Sequence, residues 1–230
     1  MQKQKLVNYV KAREDFLPEY NIGPLQIIIK DRVQDNVDLN GVFSSIERII
    51  PYEFLKLIDV AYIGNFEFLK NKKVNAVFMD GAIYISNEQD DSADLIDDIV
   101  HELAHAVEEN YGELIYSDGE IKEEFLQKRK MLKSELKYLN YSVHMHDFSN
   151  VEYDQRFDSF LHEEIGYDAL AIISANIFLA PYSITSLREY FARGFEEYYI
   201  GKHSLLKQIC PYIYKKLFFL EQNEVINNEF

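Results

Sequence analysis

The first third of the chain alternates short apolar runs with turn residues, a pattern typical of strands separated by tight turns. Asp80-Gly81 between two apolar runs is a strong β-hairpin signal, because both residues tolerate the left-handed backbone of a two-residue turn. Pro51 is expected to stop a helix, since proline cannot continue one from its interior. The predicted elements are strands over residues 25–30, 58–63, 74–79 and 82–86, and a helix over residues 42–50.

From residue 91 onward, apolar positions recur three and four residues apart, which is the spacing of an amphipathic helix. Asp91 or Ser92 is placed to cap the helix over residues 91–110, and Gly112 is expected to end it. Everything after Ser86 is predicted to be helical, and residues 1–15 are predicted to form a polar surface helix. The expected fold class is therefore α+β, with a small mixed N-terminal sheet followed by a mostly helical C-terminal half.

The composition excludes several kinds of partner and binding site. The net charge is −15 without any cluster of Lys and Arg, so nucleic acid is not an expected partner. Cys210 is the only cysteine, which excludes a disulfide framework and a zinc site made of thiolates. No secretory signal and no apolar run of about 18 residues is present, so a cytoplasmic protein without a membrane span is expected. At 230 residues, a single domain is expected.

The predicted amphipathic helix contains the segment His101-Glu102-Leu103-Ala104-His105. Residues four apart lie one turn apart on the same helix face, so both imidazoles can point at one ion about 2.0–2.1 Å from each nitrogen. Glu102 lies one step round the helix, where it can reach a water on that ion without binding the metal. This is the HExxH arrangement of zinc peptidases. The alternative is a pair of hydrogen-bonded histidines in an ordinary core.

A catalytic zinc site needs a third protein ligand besides the two histidines. Position 111, where one known pattern has a third histidine, is Tyr111. Glu189 is the best candidate, because it follows a plausible helix cap at Thr185 or Ser186 and lies beside an apolar stripe, where a carboxylate needs a partner. On the residues alone, a metal ligand and an ion pair with Arg193 are equally supported interpretations of Glu189. The other candidate ligands are His144, His146, His162 and His203.

HELAH, together with the later segment Tyr182-x6-Glu189-Tyr-Phe-Ala, resembles the anthrax lethal-factor-like metallopeptidases, which include the Pro-Pro endopeptidases. These enzymes are gluzincins, in which a glutamate is the third zinc ligand. The resemblance covers residues 74–199 and implies a zincin-like fold with one zinc ion per chain. It implies His101, His105 and Glu189 as zinc ligands, Glu102 as general base, and Tyr182 as a hydrogen-bond donor to the transition state.

The chain departs from the family pattern in two places. His105 and Glu189 are 84 positions apart (189 − 105), a longer gap than the family has, and the excess is assigned to a helical and loop insertion around residues 119–160. The family's second glutamate, one turn after the ligand, is replaced by Arg193, and Glu196 could take its place on nearly the same face. Asp97, Asp98 and Glu196 are the candidates for orienting the histidines.

The zincin layout also predicts how a substrate binds. A peptide adds a strand to one exposed edge of the sheet, where unpaired N–H and C=O groups bind a main chain of any sequence. Ala82–Ser86 is the candidate for that edge strand. An ordinary interior strand is the equally supported alternative.

The sequence therefore predicts a zinc-dependent metalloendopeptidase that acts on a peptide or protein. Zinc would lower the pKa of its bound water toward about 7, and Glu102 would accept the proton. The alternative is a zincin-fold binding or structural protein, for example a viral or toxin-associated one, with little or no peptidase activity. Arg193 and the long insertion favour that alternative, whereas the intact Glu102 argues against it. Hydrolysis of a non-peptide amide is a third possibility.

Overall fold

The computed structural model describes residues 19–227, so the helix predicted over residues 1–15 lies outside the described residues. The chain divides into two compact units, the first ending at Val107 and the second beginning at Glu108. The fold class is α+β, with a five-stranded sheet in the N-terminal half and a mostly helical C-terminal half. The organisation as a single domain stays a prediction.

The N-terminal unit is built on one mixed sheet with the strand order β1-β2-β3-β5-β4. Strands β2, β3 and β5 are parallel, and β1 and β4 pair antiparallel at the two edges. All four predicted strands and the helix predicted over residues 42–50 are confirmed, with bounds that differ by a few residues. The elements are β1 (Glu19–Ile22), β2 (Leu25–Ile29), α1 (Leu39–Ile49), α2 (Tyr52–Leu55), β3 (Val60–Gly64), α3 (Glu67–Lys72), β4 (Ala76–Met79), β5 (Ala82–Ser86) and α4 (Ser92–Tyr116).

The β4–β5 hairpin forms where the sequence predicts it. Met79 pairs with Ala82 across the turn. Asp80 has φ 52° and Gly81 has φ 76°, so both turn residues are left-handed. A two-residue turn with positive φ at both positions matches the right-handed twist of the flanking strands, which explains why Asp-Gly is favoured there.

One face of the sheet is buried. Ile27, Ala61, Ile83 and Phe78 are in register across four strands, so their side chains lie on the same face. Each of them is at most 8% exposed. The opposite face carries aromatic residues, with the rings of Tyr62 and Tyr84 stacked 5.3 Å apart.

Helix α4 begins as predicted but ends later. Asp91 Oδ1 accepts hydrogen bonds from the N–H groups of Ala93 (2.7 Å) and Asp94 (3.1 Å), so Asp91 is the cap. Ser92 Oγ instead accepts from the N–H of Asp38. The expectation that Gly112 ends the helix is wrong, because α4 continues to Tyr116. A glycine inside a helix costs only about 1 kcal/mol relative to alanine, which the surrounding turns offset.

The C-terminal unit is helical, as predicted for everything after Ser86. The predicted insertion around residues 119–160 contains a long helix followed by an irregular segment, and its status as an insertion stays a prediction. None of the helices between residues 19 and 227 has both the length and the apolar character needed to cross a membrane. The elements are α5 (Glu120–Tyr138), a 3-10 helix (Val143–Met145), α6 (Gln155–Ser159), a π-helical turn (Phe160–Ile165), α7 (Tyr167–Ser174), a second 3-10 helix (Tyr182–Ile184), α8 (Leu187–Tyr199), α9 (His203–Ile209) and α10 (Pro211–Asn227).

Two consecutive cations of α5 lie in the interior of this unit. Lys128 is 8% exposed and Arg129 is 1% exposed. The ammonium of Lys128 donates to the carbonyl oxygens of Ile177 (2.5 Å) and Ile209. A buried charge is costly unless it is hydrogen-bonded, and these backbone carbonyls supply the acceptors.

Helices α8 and α10 approach closely at a glycine. A Cβ atom added at Gly194 would lie 2.6 Å from Cγ2 of Ile213, well inside van der Waals contact. Ile213 is fully buried, and its branched side chain has little freedom to move aside. Glycine at position 194 therefore allows the two helices to pack at this distance.

Gly112→Ala and Gly194→Ala form a matched pair, because both glycines lie inside helices. Nothing lies within 4 Å of a Cβ added at Gly112, so alanine there should raise the free energy of unfolding by about 0.5–1 kcal/mol. Alanine at Gly194 should lower the free energy of unfolding. The clash with Ile213 costs about 1–3 kcal/mol, which outweighs the roughly 0.5–1 kcal/mol that alanine contributes in a helix. Denaturant unfolding of both variants measures the difference. Equal stabilisation by the two substitutions would contradict the close approach of α8 and α10.

Candidate metal centre

Helix α4 places the two histidines of the HExxH motif beside each other. The ring centroids of His101 and His105 lie 4.8 Å apart, with the ring planes at 88°. One ligand atom from each of His101, Glu102 and His105 lies within 4.8 Å of the others. Glu102 and His105 are buried, and His101 is partly exposed. This group has the composition and spacing to hold a metal ion.

Glu102 is fixed by a hydrogen bond to the sheet. Glu102 is 7% exposed, and its Oε2 accepts from the N–H of Phe78 at 2.5 Å. A hydrogen bond from an N–H group to a carboxylate is among the stronger ones and stabilises the charged form of the acid. The bond therefore connects the HExxH helix to strand β4.

Among the strands that the structure describes, β4 and not β5 forms this edge of the sheet. β5 pairs with β3 on one side and with β4 on the other, so the prediction that Ala82–Ser86 is an exposed edge is wrong, and the interior alternative is right. The physical reason is the Asp80-Gly81 turn, which folds β4 back along the side of β5 that β3 does not pair with.

The outer edge of β4 offers main-chain groups at alternate residues. The bonding direction alternates along an antiparallel strand. The N–H of Ser86 donates to the carbonyl of Asn75, so the main-chain groups of Asn75 point toward β5. Those of Val77 and Met79, two and four residues later, point the same way. Ala76 and Phe78 therefore direct their N–H and C=O groups away from the sheet, as the bond from Phe78 to Glu102 shows.

A partly buried acid, Asp98, lies one turn before His101. Gln89 is 1% exposed, and its side-chain amide donates to Asp98 Oδ2 (2.9 Å) and to the carbonyl of Ser86 (3.0 Å). Burial raises the pKa of Asp98 from its ordinary 3.8 to about 6, while the hydrogen bond from Gln89 opposes this rise. The negative Glu102 raises the pKa further and His101 lowers it. Of the three acids considered for orienting the histidines, Asp98 is thus coupled electrostatically to His101.

The other predicted site residues belong to the C-terminal unit. Tyr182 begins the 3-10 helix Tyr182–Ile184 and is 41% exposed. Glu189 lies in the first turn of α8, where its N–H donates to Ser186 Oγ at 3.1 Å, so Ser186 is confirmed as the cap. The assignment of Glu189 as ligand and of Tyr182 as donor stays a prediction.

The alternative third ligands have varied surroundings within this unit. His146 stacks on Phe160 at 4.0 Å, and the ring of His162 lies 5.0 Å from Tyr167. Nε2 of His203 lies 2.7 Å from the carbonyl oxygen of Tyr198. His144 is exposed in the 3-10 helix Val143–Met145.

Arg193 lies among acidic residues of its own helix. Its guanidinium bonds the carboxylate of Glu196, and Nη2 lies 4.0 Å from Glu197. Glu196, considered above as the replacement for the family's second glutamate, is therefore paired with the residue that stands at that glutamate's position.

Two parts of the candidate site were not found from the sequence. The Phe78 N–H is a backbone group, and its direction depends on which strand forms the edge. Gln89 lies in a polar connection after β5, and nothing in the local pattern marks it as buried. Only the strand order and the burial of the folded chain identify them.

We expect Asp98→Asn to change the pH dependence of stability in protein kept metal-free with a chelator. Because the folded pKa is raised to about 6, the folded state keeps a proton that the unfolded chain has released, and wild-type stability falls as pH rises from about 4 to 6. Asparagine has no such titration. The free energy of unfolding of the variant, relative to wild type, should therefore increase across this interval. If the free energy of unfolding changed with pH in the same way for the variant and wild type between pH 4 and pH 7, the raised pKa of Asp98 would be contradicted.

No protein-family model matches this sequence, and comparisons with curated proteins and with solved structures found no match. The functional assignment of the HExxH helix therefore rests on its residues and their geometry.

Proposed function

We propose that this protein is a zinc-dependent metalloendopeptidase of the gluzincin type, with a zincin-like fold related to the lethal-factor-like enzymes. The observation that carries the proposal is the arrangement of His101, Glu102 and His105 on one helix, with Glu102 bonded to the outer edge of β4. This arrangement would supply two of the three zinc ligands and the general base of a metallopeptidase, beside a strand edge to which a peptide could add.

The available donor atoms fit zinc. Two imidazoles and a carboxylate are a common ligand set for catalytic zinc, which keeps one position for water. His101 and His105 would supply the imidazoles, and Glu189 would supply the carboxylate on the strength of the family motif. Zinc bound there lowers the pKa of a coordinated water toward neutrality and polarises the carbonyl of the scissile bond.

Glu102 would act as the general base and then as the acid. One carboxylate oxygen accepts from the Phe78 N–H at 2.5 Å, which fixes the plane of the carboxylate. The carboxylate can accept a proton from the attacking water and deliver it to the leaving amine.

The edge of β4 would bind the substrate main chain. The outward groups are the N–H and C=O of Ala76 and the C=O of Phe78, because the N–H of Phe78 already donates to Glu102. A peptide would pair with these groups as a further strand. Because the general base is bonded at position 78, a peptide paired along Ala76–Met79 passes close to Glu102. This assigns substrate binding to β4 in place of β5.

Tyr182 would stabilise the transition state. Tyr182 is 41% exposed. In the proposed reaction it donates a hydrogen bond to the oxyanion as the tetrahedral intermediate forms. The seven-residue spacing to Glu189 supports this role.

We expect His101→Ala, His105→Ala and Glu189→Ala each to lose tightly bound zinc, because two protein ligands do not hold the ion tightly. His144→Ala is the matched control, since His144 is an exposed histidine that the proposal leaves out of the zinc sphere. Elemental analysis of the four purified variants gives the zinc content per chain. Zinc lost from His144→Ala but kept in Glu189→Ala would contradict the gluzincin assignment.

We expect Glu102→Gln to bind zinc and fold normally but to lose nearly all turnover. The amide oxygen can still accept from Phe78, yet the group cannot take up a proton from water. Glu109→Gln, at an exposed position of the same helix, is the control and should keep full activity. Cleavage of a diverse peptide library measures turnover.

Two other results of this experiment would count against the proposal. Substantial cleavage by zinc-loaded Glu102→Gln would show that the base lies elsewhere. One zinc ion per chain in the wild type without any cleavage would favour the binding or structural protein.

A further inference from the structure

Arg129 has an unusual set of partners for a buried arginine. It is 1% exposed, and all its described hydrogen bonds go to backbone carbonyls. Nε and Nη2 both donate to Ile184 (2.9 and 2.7 Å), Nη2 also donates to Thr185 (2.9 Å), and Nη1 donates to Asn150. The guanidinium lies 4.8 Å and 4.3 Å from the ring centroids of Phe125 and Phe157.

The two carbonyls of Ile184 and Thr185 lie between Tyr182 and Glu189. Thr185 Oγ1 donates to the carbonyl of Tyr182 at 2.8 Å, and Ser186 Oγ caps Glu189 at 3.1 Å. Ile184 and Thr185 are 0% and 1% exposed, so water does not supply donors to them. A buried carbonyl oxygen without a hydrogen-bond donor is energetically costly, and the Arg129 guanidinium supplies donors to both carbonyls.

We propose that Arg129 is a positioning residue, which fixes the turn between Tyr182 and Glu189 and so sets where the tyrosine hydroxyl and the α8 carboxylate point. This inference rests on the proposed function. It also gives a role to α5, the helix of the predicted insertion. That helix supplies the cation on which the Tyr182–Glu189 turn depends.

The geometry requires arginine in particular. A planar guanidinium can donate to Ile184, Thr185 and Asn150 at once, while stacking on aromatic rings. A lysine ammonium is a compact charge on a flexible stem and cannot reach all three carbonyls in fixed directions. Burial lowers the pKa of Arg129 to about 10, so the group still carries its charge at neutral pH.

The test compares Arg129→Lys and Arg129→Met with Lys128→Met. Lys128 is the adjacent buried cation of the same helix, and its carbonyl partners are Ile177 and Ile209, outside the turn. We expect both Arg129 variants to lower kcat by about 10- to 100-fold with little change in KM, since small misplacement of a reacting group costs this much. Lys128→Met should lose stability without this loss of kcat.

A double-variant cycle shows whether Arg129 acts through Tyr182. Tyr182→Phe alone should lower kcat by about 10²–10³, as for a lost oxyanion donor. In the Tyr182→Phe background, Arg129→Lys should have a much smaller effect on kcat than in wild type, because coupled residues are not additive. Full additivity would overturn the positioning of Tyr182 by Arg129, while unchanged kcat in Tyr182→Phe would contradict the role proposed for Tyr182 itself.

Amide hydrogen exchange tests the same proposal without relying on activity. Arg129→Lys should speed exchange in residues 182–189 and leave the amides around Ile177 and Ile209 unchanged, whereas Lys128→Met should do the reverse. Unchanged exchange over residues 182–189 in the Arg129 variants would overturn the inference. Faster exchange there with an inactive wild-type protein would contradict the proposed peptidase and support the structural hold of Arg129 on the turn.

Discussion

The hydrogen bond between the Phe78 N–H and the Glu102 carboxylate is the interaction on which the candidate site depends. It joins the outer edge of β4 to the helix that carries both histidines, and its partners are 24 positions apart. A charged group at 7% exposure needs such a partner. The bond fixes the direction of the carboxylate and the distance of the edge strand from it. Both are requirements for a general base that works on a peptide.

The local sequence pattern predicted the β-hairpin and the helix that this bond connects. The Asp80-Gly81 turn and the amphipathic helix after residue 91 were identified because turn conformation and helix amphipathicity depend on neighbouring residues. The error at Gly112 has the same origin. Its local signal is a helix stop, yet the cost of one glycine is small beside the stability of a 25-residue helix.

The strand order could not be predicted in this way. Ala82–Ser86 and the strand before it have similar apolar composition, and only the pairing of β5 with β3 decides which of them lies at the edge. That pairing joins segments about twenty residues apart, for which the chain carries no local signal. The same limit applies to Gln89 and Arg129, whose partners lie on other elements and whose burial follows from the assembled fold.

Because its donor is a main-chain group, the bond between position 78 and Glu102 does not depend on which side chain stands at position 78. A main-chain N–H is supplied by nineteen of the twenty amino acids, and proline alone lacks it. Substitution at position 78 can alter packing, but it does not remove the donor. An evolving lineage could therefore replace this residue repeatedly while the Glu102 carboxylate stays oriented, and aligned sequences would then vary at position 78 although the bond needs its N–H.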